Sequence, residues 1–137
     1  MIQALLDTNI ILDALLARET FGEQAAAIWK AHEDGRFVGH LCATTPVTVF
    51  YIARKGVGRK KALRMISDLM DTFEISPVSR EVLRSALQLE MGDFEDAVQI
   101  ASAQADGLDY IVTRDVEHYK KSPVRVITPV EFVIQMT

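Results

Sequence analysis

An α/β fold built on a mainly parallel sheet is what this sequence predicts, on three observations. Short runs rich in β-branched and aromatic residues alternate with longer stretches of helical periodicity, which is the pattern of βαβ units. No internal repeat, low-complexity tract or linker rich in proline, glycine or serine interrupts the alternation. The length of 137 residues fits one domain with a sizeable core.

The elements follow in order. Residues 3–6 close an apolar run and read as a buried strand that ends on Asp7. A helix is predicted over residues 9–16. The next starts at Thr20, with Glu23 three residues on as a capping box. Its apolar stripe is Phe21, Ala25, Ile28, Trp29 and His32, and Gly35 is its C′ stop. Residues 37–41 form the second strand. Thr45-Pro46 fits an N-cap followed by proline at N1 and opens a helix to residue 55. A helix over 58–71 buries Leu63, Ile66, Leu69 and Met70, and a short strand follows over 73–76. Helices are predicted over 79–90 and 94–106, the second closed by Gly107. Strands over 110–112 and 124–127 precede Thr128-Pro129-Val130-Glu131, a capping box that opens a C-terminal helix.

Bulk properties narrow the function classes. The net charge of −4 argues against binding nucleic acid by bulk attraction, although a local basic patch on an acidic body is compatible with it. A single cysteine, Cys42, allows no internal disulfide, so a cytoplasmic location is expected. The N-terminus lacks a signal-peptide pattern, and no apolar run approaches the roughly 20 residues of a membrane span.

The acids carry the chemistry. In an open parallel sheet, ligands bind beyond the carboxyl ends of the strands. Asp7 ends the first strand, and Asp115 follows the strand at 110–112 by way of Thr113-Arg114. Asp93, Glu95 and Asp96 open the helix "DFEDAVQIASAQA", with Asp93 and Asp96 near one face of its first turn. Carboxylates brought together repel, and a hard divalent cation relieves this. Mg2+ and Mn2+ favour carboxylate and water oxygens and serve phosphoryl displacement.

The stretches "LLDTNIILDALL", "DFEDAVQIASAQADGLDYIVTRDVEHY" and "VITPVEF" resemble the PIN domain family, most of all its VapC-type branch of small single-domain proteins. The resemblance spans essentially the whole chain. It implies a three-layer α/β/α sandwich and a Mg2+- or Mn2+-dependent endoribonuclease. It further implies an RNA substrate and a small antitoxin as partner, and leaves homodimer formation open. The family's carboxylates map onto Asp7, Asp96 and Asp115, and its supporting polar residues onto Asn9 and Thr113. One position departs from the pattern. The family's glutamate on the helix after the second strand falls on Tyr51, in "TPVTVFYIARK". Asp93 is the candidate to replace that carboxylate.

Simpler roles compete at several of these positions. Asp7 and Asp93 both suit helix N-caps. Asp13 and Glu95 read as solvated residues, Trp29 as core and His118 as surface. Residues 54–64 hold six basic side chains, of which Lys60, Lys61 and Arg64 lie off the apolar stripe. They form either a solvated face or a strip that binds an RNA backbone or an acidic partner. No His/Cys spacing suggests zinc. Two other functions stay in view: a PIN-fold RNA- or protein-binding module without activity, and a phosphatase acting on small phosphoesters.

Overall fold

Strand β1 (Gln3–Leu6) stands at the centre of a five-stranded sheet. On one side it pairs with β2 (Val38–Cys42), which pairs in turn with β3 (Glu74–Ser76). On the other side lie β4 (Tyr110–Val112) and then β5 (Arg125–Ile127). Every pairing is parallel, with Leu5 opposite His40 and Leu6 opposite Val112. The computed structural model describes residues 1–137. No helix in it is long and apolar enough to cross a membrane.

Period-two alternation divides the core. Ala4, Leu6, Leu41, Tyr110 and Val112 face one side of the sheet and Leu5, Cys42 and Ile111 the other. The first face is covered by α1 (Thr8–Leu15), α2 (Gly22–Glu33), α3 (Thr45–Val57), α4 (Arg59–Thr72) and α7 (Pro129–Met136). The second is covered by α5 (Arg80–Gln88) and α6 (Phe94–Ala105). This is the three-layer α/β/α arrangement. The strand order reverses between β1 and β4, so the switch point of the sheet opens at their carboxyl ends. Asp7 is fixed there, its N–H donating to the Val112 carbonyl at 3.0 Å.

Most local signals hold. Thr128 and Glu131 form the full capping box of α7. Ser79 caps α5 and Asp93 caps α6 through their side chains. Gly35 and Gly107 take the left-handed conformation that ends α2 and α6.

Five expectations need correction, one of them at α3, where Thr45 lies inside the helix, gives it no cap hydrogen bond and bonds to Thr8 instead. The capping box at Thr20 does not form: Thr20 is left-handed (φ 76°) and α2 begins at Gly22. The reason lies upstream, where the Arg18 backbone bonds to both Asp13 and Gly22 and shapes the turn. Phe21 is consequently exposed, with the Arg114 guanidinium 4.2 Å above its ring. In α4 the buried stripe is rotated by about one residue, so Ala62 and Leu69 are covered while Leu63 and Met70 are exposed. Asp13 is not solvated but 1% exposed, held by two arginines.

Candidate active site

Asp7 occupies the N-cap position of α1 but gives that helix no side-chain hydrogen bond. Its carboxylate turns into the molecule instead. Oδ2 accepts from the Thr113 hydroxyl at 2.9 Å, and Oδ1 accepts from Gln99 Nε2 at 3.0 Å and from the Tyr119 hydroxyl at 3.1 Å. Thr113 Oγ1 also accepts the backbone N–H of Asp115 at 3.0 Å, which ties the loop after β4 to the same carboxylate.

Asp96 approaches from α6. Its Oδ1 lies 3.1 Å from the Tyr119 hydroxyl, so a single O–H stands between two carboxylates from distant segments. Gln99, one turn after Asp96, donates to that hydroxyl oxygen at 3.1 Å as well as to Asp7. Tyr119 reaches the site from a 3-10 turn, Val116–Tyr119, that follows Asp115. Both Gln99 and Tyr119 are buried, and Gln99 Oε1 has no hydrogen-bond partner.

Electrostatics follow from this crowding. Burial raises the Asp7 pKa above its ordinary value, against hydrogen bonds from Gln99, Thr113 and Tyr119 that pull it down, with the Asp115 charge adding to the rise. Burial, then the charges of Asp93 and Asp7, push Asp96 up to about 6. The Tyr119 phenol is pushed up by burial and by the two carboxylates, and so remains a proton donor. Asp7, Asp93, Asp96 and Asp115 therefore act on one another, although no three acidic, histidine or cysteine side chains converge tightly enough to enclose an ion by themselves.

The remaining candidates divide. Asp93 Oδ1 accepts the Asp96 N–H at 3.1 Å, so it does cap α6, and it shares an open cleft with Asp96, His118 and Lys121. Glu95 is exposed but not free: it accepts from Thr48 of α3 at 3.2 Å, one turn before Tyr51. Tyr51 is 54% exposed, its ring against Phe50 and Arg54, and brings no acid to the site. Asn9 accepts from Arg18 at 3.4 Å rather than bonding to a site carboxylate. Lys60, Lys61 and Arg64 are exposed on α4, beyond the end of α3 remote from Thr45. Thr45 bonds to Thr8 beside Asp7, so about 18 Å of helix separates the two ends of α3.

Reading the sequence missed Gln99 and Tyr119. Gln99 had a signal, being a lone amide within the small apolar stripe of α6. Tyr119 had none, because its approach depends on how the turn after Asp115 folds back.

The donors suit a hard divalent cation. They are carboxylate oxygens, and Asp7 Oδ2 accepts only one hydrogen bond. Mg2+ commonly takes one or two carboxylates and keeps water for the rest of its shell, and the open cleft beside Asp93 and Asp96 leaves room for that water.

A family model described as PIN domain matches residues 3–117. Ribonuclease VapC1 of Aquifex aeolicus (strain VF5) is 28% identical over 134 residues, covering 92% of this chain and 90% of that protein. Among solved structures, a toxin-antitoxin complex from Klebsiella pneumoniae aligns with a TM-score of 0.69 and 26% identity, over 92% of this chain and 97% of that one. A DNA-bound VapBC from Salmonella typhimurium aligns with a TM-score of 0.70 at 16% identity, over 94% of this chain and 99% of that one, and shows the fold alone.

Proposed function

The chain belongs to the PIN domain family, and on that premise we propose that it is a divalent-metal-dependent endoribonuclease acting as the toxin of a toxin-antitoxin pair. The observation that carries this reading is the meeting of Asp7 and Asp96 across the Tyr119 hydroxyl at the switch point of the sheet. Likeness to a ribonuclease VapC1 and to a toxin-antitoxin complex supports the substrate class and a small antitoxin as protein partner.

In this reading Asp7 and Asp96 hold Mg2+ or Mn2+, with Asp115 and Asp93 acting on the ion or its waters. The bound ion supplies positive charge to a phosphodiester and lowers the pKa of water. The protein supplies position. Thr113 and Gln99 hold the Asp7 carboxylate from two sides, and Tyr119 keeps Asp96 in line with it. With a pKa near 6, Asp96 is ionised at neutral pH and ready to bind a cation.

The tyrosine at position 51 favours a second reading, a binding module without activity. Asp7→Asn distinguishes the two. Asparagine keeps the size of the side chain and removes the charge that neutralises a cation. We expect the parent to cleave RNA only with added Mg2+ or Mn2+, and to gain thermal stability on binding Mn2+. Asp7→Asn loses both the cleavage and the gain in stability. Cleavage at the parent rate by Asp7→Asn would remove the metal assignment; a folded parent that binds RNA without cleaving it would establish the module.

A further inference from the structure

We propose that Arg18 and Arg114 form a phosphate subsite beside the acidic centre, which grips the RNA backbone next to the reacting phosphodiester. This rests on the ribonuclease reading above for its ligand and on a separate cluster for its geometry.

The cluster is centred on Asp13 in α1. Arg114 Nε donates to Asp13 Oδ2 at 2.9 Å and Nη2 to Oδ1 at 3.4 Å, while Arg18 Nη1 donates to Oδ1 at 3.3 Å. Arg18 Nη1 also reaches Asn9 Oδ1 at 3.4 Å. One guanidinium in two-point contact already neutralises a carboxylate. The second brings a net charge of +1 to a cluster of two cations and one anion. Each guanidinium carries five N–H donors, and the contacts with Asp13 and Asn9 occupy Nε and Nη2 of Arg114 and Nη1 of Arg18. The other donors remain for a ligand, and the two side chains are 24% and 33% exposed.

Both arginines are held in place rather than loose. Asp13 is 1% exposed and anchors their inner edges. Arg114 stacks over the Phe21 ring at 4.2 Å. Arg18 lies between two residues forced into left-handed backbone, Ala17 (φ 47°) and Thr20 (φ 76°). Such conformations persist where the surroundings over-determine them, and they gather at functional sites. An exposed ion pair on a flexible loop would need no such constraint.

Position identifies the ligand. Arg114 lies between Thr113, whose hydroxyl binds Asp7, and Asp115. Asn9, which accepts from Arg18, is two residues beyond Asp7. In this proposal a strand whose reacting phosphodiester lies on the acids passes the two guanidiniums with a neighbouring phosphate. Planar guanidinium forks suit phosphate oxygens. The acidic centre repels RNA until it holds cations, so a local positive site at its edge is what an acidic protein of this kind needs to orient the strand.

The test is Arg18→Gln, which leaves the Arg114–Asp13 pair intact. Binding of a single-stranded oligoribonucleotide is measured in Ca2+ at several salt concentrations, with recovery of intact RNA as a check. A lost phosphate contact flattens the slope of log K against log salt by about 0.7 and weakens binding about tenfold at low salt. Arg18→Lys recovers the slope. A changed melting temperature with an unchanged slope would make the cluster purely structural and overturn the proposal. A second measurement separates this outcome from failure of the RNA reading. Inorganic phosphate is titrated into the parent while the side-chain NMR signals of Arg18 and Arg114 are followed. Shifts at both arginines in a parent that binds no RNA would support the phosphate subsite and remove RNA as its ligand. No shift at either, with no effect of Arg18→Gln on RNA, would overturn the subsite outright.

Discussion

Asp7 stands where a helix cap belongs and serves the opposite direction, its carboxylate bound by Thr113, Gln99 and Tyr119 instead of by α1. A residue placed this way is costly to the fold, and the cost has a pH signature. The Asp96 pKa of about 6 lies above the unfolded value of 3.8, because of burial and then of Asp93 and Asp7. Between these values the folded chain binds more protons than the unfolded one, so stability is lost as pH rises through the window. Asp7, also raised, acts in the same sense. His40 acts in the other: burial lowers its pKa, so the folded state loses stability as pH falls below 6.5. Comparison with Asp96→Asn isolates the carboxylate. In metal-free buffer the stability of Asp96→Asn relative to the parent should grow as pH rises from about 4 to about 7, measured by urea unfolding. A difference independent of pH would mean that Asp96 is not perturbed as its surroundings require.

At the scale of elements, α6 combines two roles in its first turn. Asp93 caps it, and Asp96, at the third helical position, faces the site. The serine variant at position 93 separates capping from charge. Asp93→Ser should stay within about 0.5 kcal/mol of the parent in stability, since serine caps as well as aspartate. Its Mn2+ affinity, read by calorimetry, should fall several-fold, and an unchanged affinity would reduce Asp93 to a cap. The contact between α2 and β2 depends on a different residue. A Cβ at Gly39 would sit 2.9 Å from Cδ1 of the buried Phe73 ring and 3.3 Å from His32 Nδ1, which accepts the Gly39 N–H. Gly39→Ala should therefore cost about 1–3 kcal/mol by overpacking, seen as a lower denaturation midpoint at unchanged m-value. Full stability in that variant would show that the Phe73 ring moves aside freely.

The whole molecule carries a net charge of −4 and a separate basic strip on the α3–α4 hairpin. The strip stands at the end of that hairpin remote from Thr45 and Thr8, so it cannot hold the phosphate that reacts. We propose that it serves a longer strand or an acidic partner. Replacing Lys60, Lys61 and Arg64 together with glutamine should flatten the salt slope of RNA binding by up to about 2 if all three touch phosphates. It should leave cleavage of short oligoribonucleotides unchanged. An unaltered slope on long RNA would assign the strip to a protein partner or to solvent.

The sequence by itself determined the alternation of strands and helices, the parallel sheet, the caps at Asp93 and Thr128, and the candidacy of Asp7, Asp96 and Asp115. The elements and caps follow from local periodicity and from residue types whose hydrogen bonds close within a few positions; the candidacy of the acids follows from their place at strand and helix ends and from the resemblance to the family. The tertiary structure decided the surroundings of those acids. Asp13 reads as solvated because a lone charged side chain in a short, largely apolar helix normally turns to water, but Arg114, 101 residues away, covers it. Tyr119 looks like one more aromatic after a turn, yet its hydroxyl reaches Asp7, 112 residues earlier. Thr20 and Glu23 have the spacing of a capping box, and the turn that Asp13 and Arg18 impose overrides it. Burial, charge and hydrogen bonding across such separations depend on how β1 and β4 pair and how α6 lies over them. No window of neighbouring residues contains that information.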